Sequence, residues 1–178
     1  MNILKYREYI DTECSSHQHK ILNKKALKLD GDNSLKMAIG CKDLKSCDYL
    51  KYKKDKILLI EISDLTTQMQ ELIQKTSCIT EECKDTLGKK LQKKLKPEMI
   101  IKEELREKYL QTTLILHKLE EHVKFSFHKS KIFIIAICSN RTSDVMAFQY
   151  LINDLKACLQ SFFEEIKIVL AKDLVRVI

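Results

Sequence analysis

The chain has 178 residues, of which 44% are hydrophobic and 32% charged, and 32 basic against 25 acidic side chains give a formal net charge of +7. That composition describes a globular protein able to bury a substantial core, not a disordered or fibrous one. The longest apolar run, Ile132 to Cys138, is strand-sized against the roughly 20 residues of a membrane helix, and Met1 to Glu8 lacks the apolar core of a secretory signal.

From the N-terminus, apolar or aromatic residues at 3, 4, 6, 9 and 10 predict a short amphipathic helix over Ile3 to Cys14. A polar stretch, Ser15 to Lys25, follows, and Asp30-Gly31-Asp32-Asn33 marks a turn. Ser34 to Cys41 reads as a short strand ended or bulged by Gly40. Beyond Cys47, Tyr49-Leu50-Lys51-Tyr52 and Ile57 to Ile62 flank a four-residue polar connection, which predicts a β-hairpin. Its second strand is apolar on both faces, as a central strand is. Asp64 stands where a helix N-cap belongs, ahead of a helix over Leu65 to Lys75.

Cys78 to Cys83 reads as a break, with a new helix starting near Thr80. Residues 82–127 are rich in Lys, Glu and Leu and predict a long helical insertion, either two helices or one bent at Pro97. Lys131 to Cys138 is the clearest buried strand, Val145 to Phe163 an amphipathic helix, and Glu165 to Leu170 a last strand. Strand, helix and strand at this spacing form a βαβ unit with parallel strands. The expected fold is therefore one α/β domain spanning 1–178. It has a central mixed sheet of four or five strands, a hairpin, flanking helices and the insertion at 82–127.

Seven cysteines at irregular spacing suggest free thiols in a reducing cytoplasm rather than a disulfide framework. The spacings are also too loose for a structural zinc site. No P-loop, GxGxxG or GxSxG motif occurs, which argues against ATP hydrolysis, dinucleotide binding and α/β-hydrolase chemistry.

The chemical lead lies on the hairpin. If Tyr52 and Ile57 close the turn, paired positions sum to 109 and Asp48 stands opposite Glu61. Like charges facing each other on a sheet are destabilising unless something compensates, such as a divalent cation, a basic side chain or a raised pKa. Two converging carboxylates are also what Mg²⁺ takes, with water and phosphate completing its shell.

Asp48, a short gap and then Ile57-Leu58-Leu59-Ile60-Glu61-Ile62-Ser63 resemble the core of the PD-(D/E)xK, or restriction-endonuclease-like, nuclease superfamily. The resemblance covers element order over roughly 1–170, with two residues matching in chemistry. It implies a Mg²⁺ site on Asp48 and Glu61, joined by an acidic residue near the N-terminus, for which Glu8 and Glu13 are the candidates. Where that family carries its motif lysine this chain has Ser63, and Lys51, Lys56 and Lys75 are candidate replacements.

Two further surfaces stand out. Lys89, Lys93 and Lys96 share one helical face, and Lys90 and Lys94 another. Such a ridge can contact phosphates, or form a solvated helix face. The broad apolar stripe between Leu105 and Val123 serves either the chain's own core or a homodimer through the 82–127 arm. Two functional readings follow. One is a non-catalytic, nuclease-like module that binds nucleic acid or an acidic protein surface without a cofactor. The other is a Mg²⁺-dependent nuclease.

Overall fold

In the computed structural model, which describes residues 1–12, 20–82, 96–123, 126–159 and 164–178, the predicted hairpin lies at the middle of one six-stranded sheet. The strands are β1 (Arg7–Asp11), β2 (Ile21–Lys28), β3 (Tyr49–Tyr52), β4 (Lys56–Ser63), β5 (Ser130–Ile137) and β6 (Glu165–Leu170), and they lie side by side in chain order. β1 to β4 form an antiparallel meander, whereas β5 pairs parallel to β4 and β6 parallel to β5. The sheet is mixed because a polar turn joins β3 to β4, while β4 and β5 are joined by long helices that return the chain to the same end. The helices are α1 (Leu35–Ala38), α2 (Leu65–Glu82), α3 (Pro97–Glu120), α4 (Thr142–Ala147), α5 (Gln149–Leu159) and α6 (Leu174–Val177).

Period-two alternation sorts the sheet's side chains between two cores. On one face Leu50, Ile57, Leu59, Phe133, Ile135 and Ile137 pack against apolar residues of α2, α3 and α5. On the other, Tyr49, Leu58, Ile60, Ile132, Ile134 and Ala136 meet Ala171 and Leu174, with Val177 and Ile178 at the margin. Phe133 is fully buried and its ring lies 5.4 Å from that of Tyr109 on α3. Truncating Phe133 to alanine is expected to cost about 3–5 kcal/mol, read as a lowered urea midpoint.

Several expectations are corrected. The N-terminal helix is instead a 3₁₀ turn over Ile3–Tyr6 followed by β1. Ile3 and Ile10 are both buried as that spacing required, but they enter different cores, one from the turn and the other from the strand that follows it. β2 occupies part of the stretch read as polar. With its Lys24 and Lys25 outward it still buries Leu22, Ala26 and Leu27, and the sheet has six strands rather than four or five. Ser34 to Cys41 forms the short helix α1 rather than a strand, and Gly40 follows it at φ +70°, the left-handed turn that suits glycine after a helix.

The helical region also differs in its boundaries. α2 runs unbroken through the expected break to Glu82, and α3 begins at Pro97. Pro97 lacks the N–H that would be unpaired at the first helical position anyway. Asp64 caps α2 as expected, its Oδ1 accepting from the Thr67 N–H at 3.1 Å. The last long helix is split at Phe148 into α4 and α5.

Ile101, Leu105, Tyr109, Ile115, Leu116 and Leu119 on α3 are buried in the chain's own core, so most of the stripe proposed for a homodimer is already covered. Leu114 and Met99 are the large apolar residues that α3 leaves exposed. Among the described residues, no helix is long and apolar enough to cross a membrane. Cys41, Cys47 and Cys158 are free thiols. Cys138 is disulfide-bonded, against the expectation that all seven cysteines are reduced.

Candidate functional site

The hairpin register holds as predicted, with Tyr52 opposite Ile57, Lys51 opposite Leu58, Leu50 opposite Leu59 and Tyr49 opposite Ile60. One step further along, Asp48 flanks Glu61 at the carboxyl end of β4. Asp48 is fixed on both sides: its carbonyl accepts from the Leu29 N–H at 2.8 Å, and its Oδ2 accepts from the Ile62 N–H at 2.7 Å. Burial pushes its carboxyl up to about 6 and Asp30 adds to the rise, against the Ile62 hydrogen bond and the Lys108 and Lys28 charges.

Glu61 is only 1% exposed. By alternation it shares the face of Leu59 and Ile57, beneath α3. There Lys108 Nζ donates to Glu61 Oε1 at 2.5 Å, and Glu104 Oε1 lies 3.6 Å from the same ammonium. Burial and then the Asp48 charge push the Glu61 carboxyl up, while Lys108 draws it down. Partial burial opposes the charge on Lys108, yet Glu61, Asp48 and Glu104 outweigh it and raise the lysine above its usual range. Glu61 Oε2 is buried and has no hydrogen-bond partner, so one ammonium stands among more carboxylate charge than it can neutralise.

α3 is anchored at this point by a second contact. Thr112 Oγ1 donates to the Lys108 carbonyl at 2.6 Å and accepts from the buried Cys47 N–H at 2.9 Å. One turn of helix is thereby tied to the residue before Asp48, which fixes where the Lys108 side chain starts.

The cation beside the carboxylates is therefore Lys108, not one of the three lysines weighed as replacements. Lys51 and Lys56 lie toward the turn end of the hairpin, in register with Leu58 and Ser130, and Lys75 pairs with Glu71 on the exposed side of α2. Ser63, at the motif lysine position, bonds through Oγ to Gln68 Oε1 at 3.3 Å. A signal for Lys108 was present in the sequence: it sits three residues after Leu105 and four before Thr112, on the stripe that enters the core. A charged residue there requires a buried partner.

Glu8 joins Asp48 in lining a cavity of about 420 Å³, together with Asp11, Lys28, Asp30 and Tyr49. Lys28 lies 3.4 Å from Glu8. Glu13, Lys89, Lys90, Lys93 and Lys94 lie outside the described residues, and Lys96 is exposed at the N-cap of α3. Among the described residues, no three His, Cys, Asp or Glu side chains gather as metal ligands. Asp48 and Glu61 alone meet the minimum of one or two carboxylates for Mg²⁺, and Lys108 competes for the same charge. No known protein family, curated protein or solved structure matches the chain.

Proposed function

We propose that this is a nuclease-like scaffold whose carboxylate pair is neutralised from within, and that it works as a non-catalytic module on nucleic acid. The observation that carries the reading is the 2.5 Å contact between Lys108 and a Glu61 that is 1% exposed. A metal-ligating carboxylate must offer its charge to the ion, whereas this one is committed to an ammonium below a helix. The net charge of +7 supports a polyanionic partner over an acidic binding role for the cavity. A single-stranded oligonucleotide is expected to bind with an affinity that falls steeply with salt, and to stay intact after incubation with Mg²⁺ or Mn²⁺. Binding is read by fluorescence anisotropy and integrity by denaturing gel. Metal-dependent cleavage that disappears in Glu61→Gln would overturn this reading.

The second reading, a Mg²⁺-dependent nuclease, is favoured by the unpartnered Glu61 Oε2 and by the access of Asp48 to the cavity. Asp48 and Glu61 would hold the ion, whose chemistry is to polarise a phosphodiester and activate water. Lys108 would then supply the positive charge that Ser63 does not. Localisation in a reducing cytoplasm and partnership with an acidic protein surface also remain proposals, the former tested by the redox state of Cys138 in cell extracts.

A further inference from the structure

On the face opposite the acidic cavity's mouth, the meander carries a second pocket of about 250 Å³. Leu50, Tyr52 and Phe127 form its apolar floor and wall, and Arg7, Lys25 and Lys51 form its rim. Tyr52 and Phe127 meet edge to face, their ring centroids 6.3 Å apart, and Lys129 Nζ lies 4.2 Å from the Tyr52 ring centroid. No carboxylate lines this pocket. Arg7, Lys24, Lys25 and Lys51 form no ion pair with any carboxylate among the described residues. Lys51 is held below the usual lysine range, first by desolvation and then by the like charges of Lys24, Lys53 and Arg7. Lys25 Nζ lies 4.6 Å from the Tyr9 ring centroid, and cations crowded without a carboxylate around an apolar floor are an arrangement that an anion relieves.

From this juxtaposition we infer that the pocket receives one base of a single-stranded nucleic acid, with the flanking phosphates on Arg7, Lys25 and Lys51. The inference rests on the nucleic-acid reading above and names its surface. The volume falls below the range of roughly 300–1,000 Å³ that encloses a drug-sized molecule, so it suits one base rather than a longer segment. Tyr52, backed by the buried Phe127, supplies the aromatic surface on which any base can lie, which makes the contact tolerant of sequence. The cations follow the backbone and supply the salt dependence. The pocket replaces the Lys89 to Lys96 ridge, which has no aromatic residue, as the strand-binding surface.

The test compares a fluorescein-labelled eight-nucleotide thymidine strand with an abasic strand of equal phosphate number, on the full chain at low salt. The thymidine strand is expected to bind about ten-fold more tightly than the abasic one. The Lys25→Glu/Lys51→Glu protein should lose about ten-fold in affinity. Its slope of log K against log salt should be shallower by about 0.7 for each phosphate contact removed. Tyr52→Ala should erase the preference for the strand that carries bases, while Lys75→Glu on α2 should bind like the wild type. Thermal melts confirm that each variant is folded.

Equal binding of the two strands, or unchanged binding in the double variant, would overturn the pocket and leave the nucleic-acid reading standing. Binding of dodecyl phosphate without binding of either strand would make the pocket an amphiphile site and overturn the inference. No binding of any strand by the wild type at low salt would overturn the inference together with the reading beneath it.

Discussion

Replacing Lys108 with methionine is expected to lower stability by about 3–5 kcal/mol at pH 8, because the substitution strands a buried carboxylate. Methionine keeps most of the side chain's length and volume, so the loss is electrostatic rather than a cavity effect. With its ammonium gone, nothing opposes the burial and the Asp48 charge that already push the Glu61 carboxyl up. Glu61 then folds only by taking a proton. The sign follows: a carboxyl whose folded pKa is raised is harmless below its unfolded pKa, and it destabilises progressively as pH rises past that value. The deficit of Lys108→Met should therefore be small at pH 4 and largest at pH 8. Combining it with Glu61→Leu should recover most of the loss, since an apolar pair of similar volume removes both desolvation costs. Urea unfolding at the two pH values measures this, and a midpoint unchanged from wild type at pH 8 would show that the contact does not form in solution.

Asp48→Asn is expected to make the protein more stable at neutral and alkaline pH, by about 2–3 kcal/mol at pH 8. Asp48 titrates near 6 in the folded chain against 3.8 for an ordinary aspartate. At about 1.36 kcal/mol for each pKa unit, the ionised form costs about 3 kcal/mol above pH 6, and nothing below pH 4. Asparagine retains an oxygen to accept the Ile62 N–H, so the backbone contact that fixes the residue survives. Wild-type stability should fall between pH 4 and pH 6, and the variant should fall less, keeping only the part due to the raised Glu61 carboxyl. Equal or lower stability of the variant at pH 8 would mean that a bound cation or another partner holds the Asp48 charge.

The parts of the fold legible in the sequence are those whose signal is local or one-dimensional. Two β-prone runs around a polar turn set the β3–β4 register, and continuous apolar runs at Ile57 to Ile60 and Ile132 to Cys138 marked the two central strands. The N-terminal third was read poorly because its structure is decided by pairing. Arg7 to Asp11 is five residues long and acquires its extended form from β2, which is itself polar on its exposed side and apolar at Leu22, Ala26 and Leu27. Ser34 to Cys41 carries the same apolar positions in either conformation, and the left-handed Gly40 settles it in favour of a helix. In the candidate site the two carboxylates were legible from register alone. Lys108 was marked only as a charge on a core-facing stripe; its pairing with Glu61 was not legible, because the two stand 47 residues apart along the chain.

The parallel junction of β4 with β5 has a kinetic consequence. Their eight paired positions cannot form until the chain has returned from Ser63 to Ser130 through α2, α3 and all that joins them. Closing so long a loop is entropically unfavourable before any ladder hydrogen bond offsets it. The meander of β1 to β4 closes shorter loops, the longest of them running from Lys28 to Tyr49 through α1, so it can form early and then wait with the edge of β4 open. During that interval Ile57 to Ile62 presents an apolar, uncovered strand edge, the kind of template on which a second chain can add. Refolding should consequently be slow and sensitive to protein concentration, with aggregation beginning at β4.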